Sequence, residues 1–435
     1  MSYLVVNGGR QLHGTVTNQS AKNSAVAILC AAAMIPAKVV LGDVPEIEEV
    51  NRIVELIKSI GVKVVKRSGG ILEIDASGKL DLTKIDKNAS EKTRSSLMLL
   101  GALAGREKHY KIYKSGGCKL GARTVKPHIF ALEKFGVKVE SREGFYEVHN
   151  QALKSAYIVM YESGDTATEN AIMAAVQAPG ETTIKMASAN YMVQDLCYFL
   201  NAAGAQIEGI GTTTLHIIGG RTFSGVANYS IMPDPIVAMT FVAAAIVTGS
   251  HLTIRDCPLE FLELELCKLE KMGQQYKIKK QYLSKNEKFN LAEIEIIPSK
   301  LTALPDKIEG RPFPGLNIDN LPLFVPVLAL AEGRTLVHDW AYENRAVYYA
   351  ELAKLGARIT LLDPHRVFVE GPSIFVAKEM VAPPALRPAV NVLLCMLAAG
   401  GQSILHNPYE IDRGYENLYE TLNQIGADIK VINEK

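Results

Sequence analysis

The chain has 435 residues, 48% of them hydrophobic, with 47 basic against 46 acidic side chains and a formal net charge of +1. That length asks for two or three well-packed cores, and the charge balance leaves no global field to recruit nucleic acid or a membrane surface. A strongly anionic partner must be held by a local cluster, so small-molecule ligands are expected.

The beginning, Met1-Ser2-Tyr3-Leu4-Val5-Val6-Asn7-Gly8-Gly9, lacks the basic start and long apolar core of a signal peptide. The longest apolar runs, such as Ile236 to Val247, fall short of the ~20 residues that span a bilayer. Cys30, Cys118, Cys197, Cys257, Cys267 and Cys395 form no C-x-x-C pair, and four lie in apolar runs that read as helix. This usage implies a reduced compartment and no metal site, so the expected localisation is cytoplasmic.

Taken in order, the chain repeats one unit. A short helix, a glycine and a β-branched strand first occur at Leu56-Ile57-Lys58-Ser59-Ile60-Gly61-Val62-Lys63-Val64. The pattern returns around Gly136, Gly204, Gly273, Gly356 and Gly426, at steps of 68 to 83 residues. Each glycine reads as a left-handed helix stop, and the period suits a βαβαββ-sized unit. Before each copy comes a second helix, apolar nearly all round, as in Phe241 to Thr248 and Leu394 to Ala399. Such helices must be buried on every side, while the more polar ones, such as Glu351 to Leu355, belong outside. Three units make a domain with helices inside and sheets around them, and six make two. The boundary is expected near Met232-Pro233-Asp234-Pro235, where two prolines should break any regular element. The lysine-rich stretch from Lys277 to Lys288 reads as a solvated hairpin edge.

Polar residues cluster where units join. Lys22-Asn23 opens the first buried helix, either as a phosphate seat or as an ordinary exposed first turn. Arg94 begins another buried helix. In Lys114-Ser115-Gly116-Gly117-Cys118-Lys119-Leu120-Gly121-Ala122-Arg123, three glycines exclude a helix interior or strand, and nearby cations favour the thiolate of Cys118. A bare surface turn and a reactive loop both fit. A Walker loop does not, because Ala122-Arg123 stands where Lys-Ser/Thr is required. Asp319 precedes a further buried helix, as its N-cap or as a general base. Arg123, Arg345, Arg387 and Arg413 add bidentate cations suited to a ligand with carboxylate and phosphate groups.

Ser20-Ala21-Lys22-Asn23, Gly116-Gly117-Cys118 with Gly121-Ala122-Arg123, Ala167-Thr168-Glu169-Asn170, Glu343-Asn344-Arg345 and Asp412-Arg413-Gly414-Tyr415-Glu416 resemble the motifs of the UDP-N-acetylglucosamine 1-carboxyvinyltransferases, within the enolpyruvyl transferase family. The resemblance runs the whole length. It implies an α/β fold of two inside-out barrels, residues 21–232 forming one domain and 1–20 with 233–435 the other, with the site between them. It implies transfer of the enolpyruvyl group of phosphoenolpyruvate to a hydroxyl of a UDP-sugar for peptidoglycan precursors. No cofactor is expected, and the chain should be a monomer or weak oligomer. Lys22, Arg94, Arg123 and Arg413 would hold phosphoenolpyruvate, with Asn23 beside them. Cys118 would be general acid or form a covalent adduct, Asp319 would be the base, and Arg345 and Arg387 would close the cleft.

The departures fall on the acceptor side. Thr124 and Lys126 stand in the family's Pro-x-Asp, Gly164-Asp165-Thr166 in its Ser-Val-Gly, Pro235 in place of an Arg, and Ala385 in place of an Asp. They leave open a different nucleotide acceptor, or a non-catalytic ligand-binding homologue. The sibling 3-phosphoshikimate activity fits less well, since it lacks the cysteine loop and the Lys-Asn pair.

Overall fold

The computed structural model describes residues 2–115 and 124–433. Its organisation follows from six apolar stretches: α1 (Lys22–Met34), α2 (Leu99–Ala102, entered through a 3-10 turn Arg94–Met98), α3 (Asp165–Gln177), α4 (Pro235–Val247), α5 (Leu321–Leu330) and α6 (Leu386–Ala398). Every residue of α4 is buried, and the others are buried over nearly their whole length. No solvent-facing stripe exists, so each helix is packed on all sides. α1, α2 and α3 pack together, as do α4, α5 and α6. Asn170 of α3 joins α2 by donating to the Leu97 carbonyl at 2.9 Å and accepting from the Gly101 amide at 2.8 Å. Asn391 of α6 likewise donates to the Pro322 carbonyl of α5 at 2.8 Å.

Around these two clusters stand six sheets among the described residues. Three draw their strands from residues 38–230, and three from residues 2–17 and 251–433. The result is two inside-out α/β barrels. The first strand, Ser2–Gly8, lies between Gly401–His406 and Ile429–Asn433, antiparallel to both. His13–Thr17 runs parallel to His251–Pro258. The two chain connections lie side by side: Ser20 bridges Pro233, and the Ala21 amide donates to the Met232 carbonyl at 2.7 Å.

The repeated glycines all follow helix ends, with φ between 89° and 109° at Gly136 and Gly426 and intermediate values at Gly61, Gly204, Gly273 and Gly356. A left-handed residue releases the chain into the next strand at low cost only without a Cβ. The lysine-rich strand Gln275–Leu283 is an exposed sheet edge, as expected.

Three expectations are corrected. Pro235 does not break structure but starts α4, where its missing amide costs nothing and Asp234 caps the helix. Three cysteines rather than four, Cys30, Cys197 and Cys395, lie in apolar helices, while Cys257 is in a strand and Cys267 is exposed on the helix Glu263–Lys271. The outer helix Tyr191–Ala202 is not polar on one face but buried through most of its length. Phe261 and Phe289 cover it, meeting Tyr191 and Tyr198 at 5.9 and 5.6 Å between ring centroids.

A second set of glycines is set by close approach. Gly8, Gly219 and Gly371 end strands against the last turns of α6, α3 and α5, where a Cβ would strike the carbonyls of Met396, Ala175 and Ala331. Gly371→Ala should therefore lower stability by on the order of 1–3 kcal/mol. At Gly14, with φ +87° and nothing within 4 Å of an added Cβ, alanine should cost only about 1 kcal/mol for the left-handed backbone. Urea midpoints of the two variants check this; equal losses would contradict the packing account.

Candidate active site

All six central helices contribute residues from their N-terminal turns, or just before them, to one cleft of about 800 Å³. Lys22 and Asn23 come from α1, Arg94 and Ser95 from the turn into α2, Asp165 from α3 and Ile236 from α4. Asp319 precedes α5, and Arg387 is the second residue of α6. Every helix start carries partial positive charge, and those of α1, α3, α5 and α6 have no side-chain bond from their cap residue, so together they favour an anion. Arg345 and Arg413 line the same cleft. The structure thus brings Lys22, Asn23, Arg94, Asp319, Arg345, Arg387 and Arg413 together. Cys118 and Arg123 lie outside the described residues.

The cations are not equally available. Lys22 Nζ sits 2.7 Å from Glu49 Oε2, and Glu49 Oε1 accepts from Ser95 Oγ at 3.0 Å. Burial pushes the Glu49 carboxyl up, but the charge and hydrogen bond of Lys22, with Arg413 and Ser95, hold it down at about 2. Arg413 Nε donates to Glu410 Oε2 at 2.6 Å, and Arg94 Nη2 to the Thr124 carbonyl at 3.2 Å. Arg387 is buried, and its Nη1 donates to the Tyr415 hydroxyl at 2.6 Å. Asn23 Nδ2 donates to the Tyr191 hydroxyl at 3.1 Å.

Arg345 is only 1% exposed. Its Nε and Nη2 donate to the two oxygens of Asp339 at 2.6 and 2.9 Å, and Nη1 to Asp319 Oδ1 at 3.2 Å. It therefore reaches the cleft chiefly through Asp319, which it orients from below. Asp319 is not an N-cap: Asn320 holds that position, without a side-chain cap bond. The Asp319 carboxylate also accepts from the Tyr342 hydroxyl at 3.4 Å. A carboxylate fixed by a buried guanidinium at the rim of a cationic cleft can accept a proton from a bound hydroxyl.

Around the remaining wall the groups are neutral or acidic. His128 is buried, which pushes its pKa down to about 4, Arg94 adding to the effect. Asn170 Nδ2 faces His128 Nδ1 at 2.8 Å, so Nδ1 accepts and the proton sits on Nε2. Asp165 accepts from Ser188 Oγ at 2.5 Å and Asn190 Nδ2 at 3.2 Å, and burial raises its pKa, with Asp319 adding to it. Ala385 occupies the N-cap of α6 with no side-chain bond, leaving that helix start open to the cleft. A second cavity of about 410 Å³ adjoins, with Glu162, Asp165, Glu260, Glu263 and Glu265 in its walls.

Sequence reasoning missed Glu49, Asp339, Glu410 and Tyr415. Glu48-Glu49 reads locally as the acidic first turn of a helix, Glu48–Ser59. Nothing in the sequence says that α1 lies beside it.

Comparisons with known proteins agree with this architecture. Residues 6–422 match the family model described as EPSP synthase (3-phosphoshikimate 1-carboxyvinyltransferase). A UDP-N-acetylglucosamine 1-carboxyvinyltransferase of Lawsonia intracellularis is 34% identical, with 100% of both chains covered. The protein of the same name from Campylobacter hominis is 33% identical, again over 100% of both. Among solved structures, the enolpyruvyl transferase NikO from Streptomyces tendae superposes with a TM-score of 0.86 at 25% identity, covering 100% of this chain and 99% of that one. EPSP synthase from Acinetobacter baumannii gives 0.76 at 18% identity, with 100% of each covered, a likeness of fold. Full-length relatives, a matching family model and a shared fold establish that the chain belongs to the EPSP synthase family of enolpyruvyl transferases.

Proposed function

We propose that this enzyme transfers the enolpyruvyl group of phosphoenolpyruvate to the 3-hydroxyl of UDP-N-acetylglucosamine, releasing phosphate. The observation that carries the reading is the convergence of six helix starts, Lys22, Arg94, Arg387 and Arg413 on one cleft that also holds Asp319. Asp319 takes the acceptor proton as the hydroxyl oxygen bonds to C2 of phosphoenolpyruvate, while Cys118 delivers a proton to C3. Loss of a C3 proton and of phosphate then restores the double bond. Lys22, Arg94, Arg123 and Arg413 offset the phosphate and carboxylate charges, an electrostatic contribution made by preorganised groups. Asn23 and Arg387 complete the binding surface, and Arg345 acts through Asp319. In this reading residues 21–232 form one domain and 1–20 with 233–435 the other. The enzyme works in the cytoplasm, as a monomer or weak oligomer, on peptidoglycan precursors and so on cell shape and division.

A second reading, transfer to a different nucleotide acceptor, is favoured by the placing of Thr124, Asp165 and Ala385, three of the departures from the family's motifs, in the cleft wall. Phosphate release with UDP-N-acetylglucosamine, compared with a panel of nucleotides and UDP-sugars, decides between the two.

Arg413→Ala should lower kcat/KM for phosphoenolpyruvate by a factor on the order of 10²–10³; wild-type kinetics would remove Arg413 from the clamp. A thiol-directed epoxide such as fosfomycin should modify Cys118 first, and faster with acceptor present. Burial pushes the thiols of Cys30, Cys197, Cys257 and Cys395 up, so peptide mapping should find them slow. Labelling that starts at exposed Cys267, or ignores the acceptor, would count against the role of Cys118. Finally, the Glu49 carboxyl lies at about 2, below its ordinary value of about 4.3. The Lys22–Glu49 pair therefore stabilises the fold above that ordinary value, and its contribution is lost as pH falls toward 2. Glu49→Gln should flatten this acid limb by on the order of 2–3 kcal/mol, read from denaturation curves between neutral and acid pH. An unchanged limb would show that the pair carries no such linkage.

A further inference from the structure

Outside the cleft lining, two histidines and a glutamate meet on the three-stranded sheet His109–Tyr113, Phe145–Asn150 and Val137–Ser141. His109 is paired across the ladder with His149, and Lys111 with Glu147. Strand alternation puts His109, Glu147 and His149 on one face, while Tyr110, Tyr146 and Val148 of the other face are buried. None of the three lines the cleft. The two imidazoles stack, their centroids 4.6 Å apart and their planes within 15°. His109 Nε2 lies 3.1 Å from Glu147 Oε1, and His149 Nε2 lies 4.0 Å from Glu147 Oε2. The three candidate donor atoms all fall within 4.8 Å of one another.

Tetrahedral zinc with bonds near 2.0–2.2 Å holds its donors about 3.3 Å apart. His109 and Glu147 are already at that spacing, and His149 reaches it by turning a ring that is 45% exposed. Lys111, directly opposite Glu147, does not compete, since its ammonium lies 4.7 Å from the centroid of the Phe145 ring. Arg142 Nε donates to Glu147 Oε2 at 3.2 Å, which leaves Oε1 for an ion and steadies the carboxylate.

We propose that His109, Glu147 and His149 form a surface site for a borderline divalent transition ion such as zinc, with two imidazole nitrogens, one carboxylate oxygen and solvent as ligands. The nitrogen donors set it apart from sites for magnesium or calcium, which take oxygen. A bound ion ties the strand His109–Tyr113 to its neighbour Phe145–Asn150, and that first strand leads directly into Lys114 and the glycine-cysteine stretch.

The test is titration of the metal-stripped full chain with zinc by calorimetry, and with cobalt by visible absorption. One zinc per chain at micromolar affinity is expected, with cobalt absorption bands of nitrogen–oxygen rather than thiolate ligation. His149→Ala and Glu147→Gln should each weaken binding by about 10-fold or more, and the His109→Ala/His149→Ala pair should abolish it. Turnover without metal should be unchanged in all of them, which separates this site from the catalytic reading. Millimolar binding in the wild type would overturn the proposal. So would binding that survives the double variant, which would put the ion on a thiol or another surface histidine.

Discussion

A helix that is apolar on every side can be stable only when other elements surround it. Six such helices in one chain leave little freedom. Sheets have to stand outside them, and the helix starts become places where the interior meets water. α4 is the extreme case, with no exposed residue along its length. Function follows from this constraint. Because the chain is directed the same way through each unit, the six starts gather in one place, and their partial positive charges gather with them.

Such a concentration of positive ends must be balanced when no ligand is present. The structure does so with carboxylates from within the same unit as each cation: Glu49 on Lys22, Glu410 on Arg413, and Asp339 with Asp319 on Arg345. Asp234 performs a related service at the centre, capping α4 through the Ile236 amide at 2.7 Å while its other oxygen faces the Lys22 amide at 3.4 Å. These pairs give each cation a defined position before any substrate arrives. Arg345 shows the extreme of this arrangement, since most of its donors are spent on protein acceptors and its effect is transmitted by Asp319.

Much of the fold was legible because its signals are local. A glycine at a left-handed helix stop, a β-branched run after it, and a helix without a polar face each declare themselves within ten residues. Pro235 was misread for the same reason: two prolines in three positions look like a break, yet the first turn of a helix accepts one freely. The cleft was legible only as a set of cations. Which partner holds which cation depends on separations of up to nearly thirty residues, as with Glu49 and Lys22 or Tyr415 and Arg387, beyond the reach of any local pattern. Asp319 was ambiguous between cap and base until its neighbour Asn320 was seen to hold the cap position. The histidines at 109 and 149 carry no sequence signature at all, because only the register of two strands sets them opposite each other.

The place of the strand Ser2–Gly8 has a consequence in time. It is flanked by Gly401–His406 and Ile429–Asn433, so it is synthesised well before either of its partners and is among the last segments to pair. At 5–20 residues per second, the strand waits roughly 20 to 80 s while the rest of the chain is made. During that interval Leu4 and Val6, both wholly buried in the finished structure, have no core to enter. Closing so long a loop is entropically slow, which makes the insertion of Ser2–Gly8 between these two strands a natural final step of assembly, and exposure of Leu4 and Val6 the mark of a chain that has not completed it.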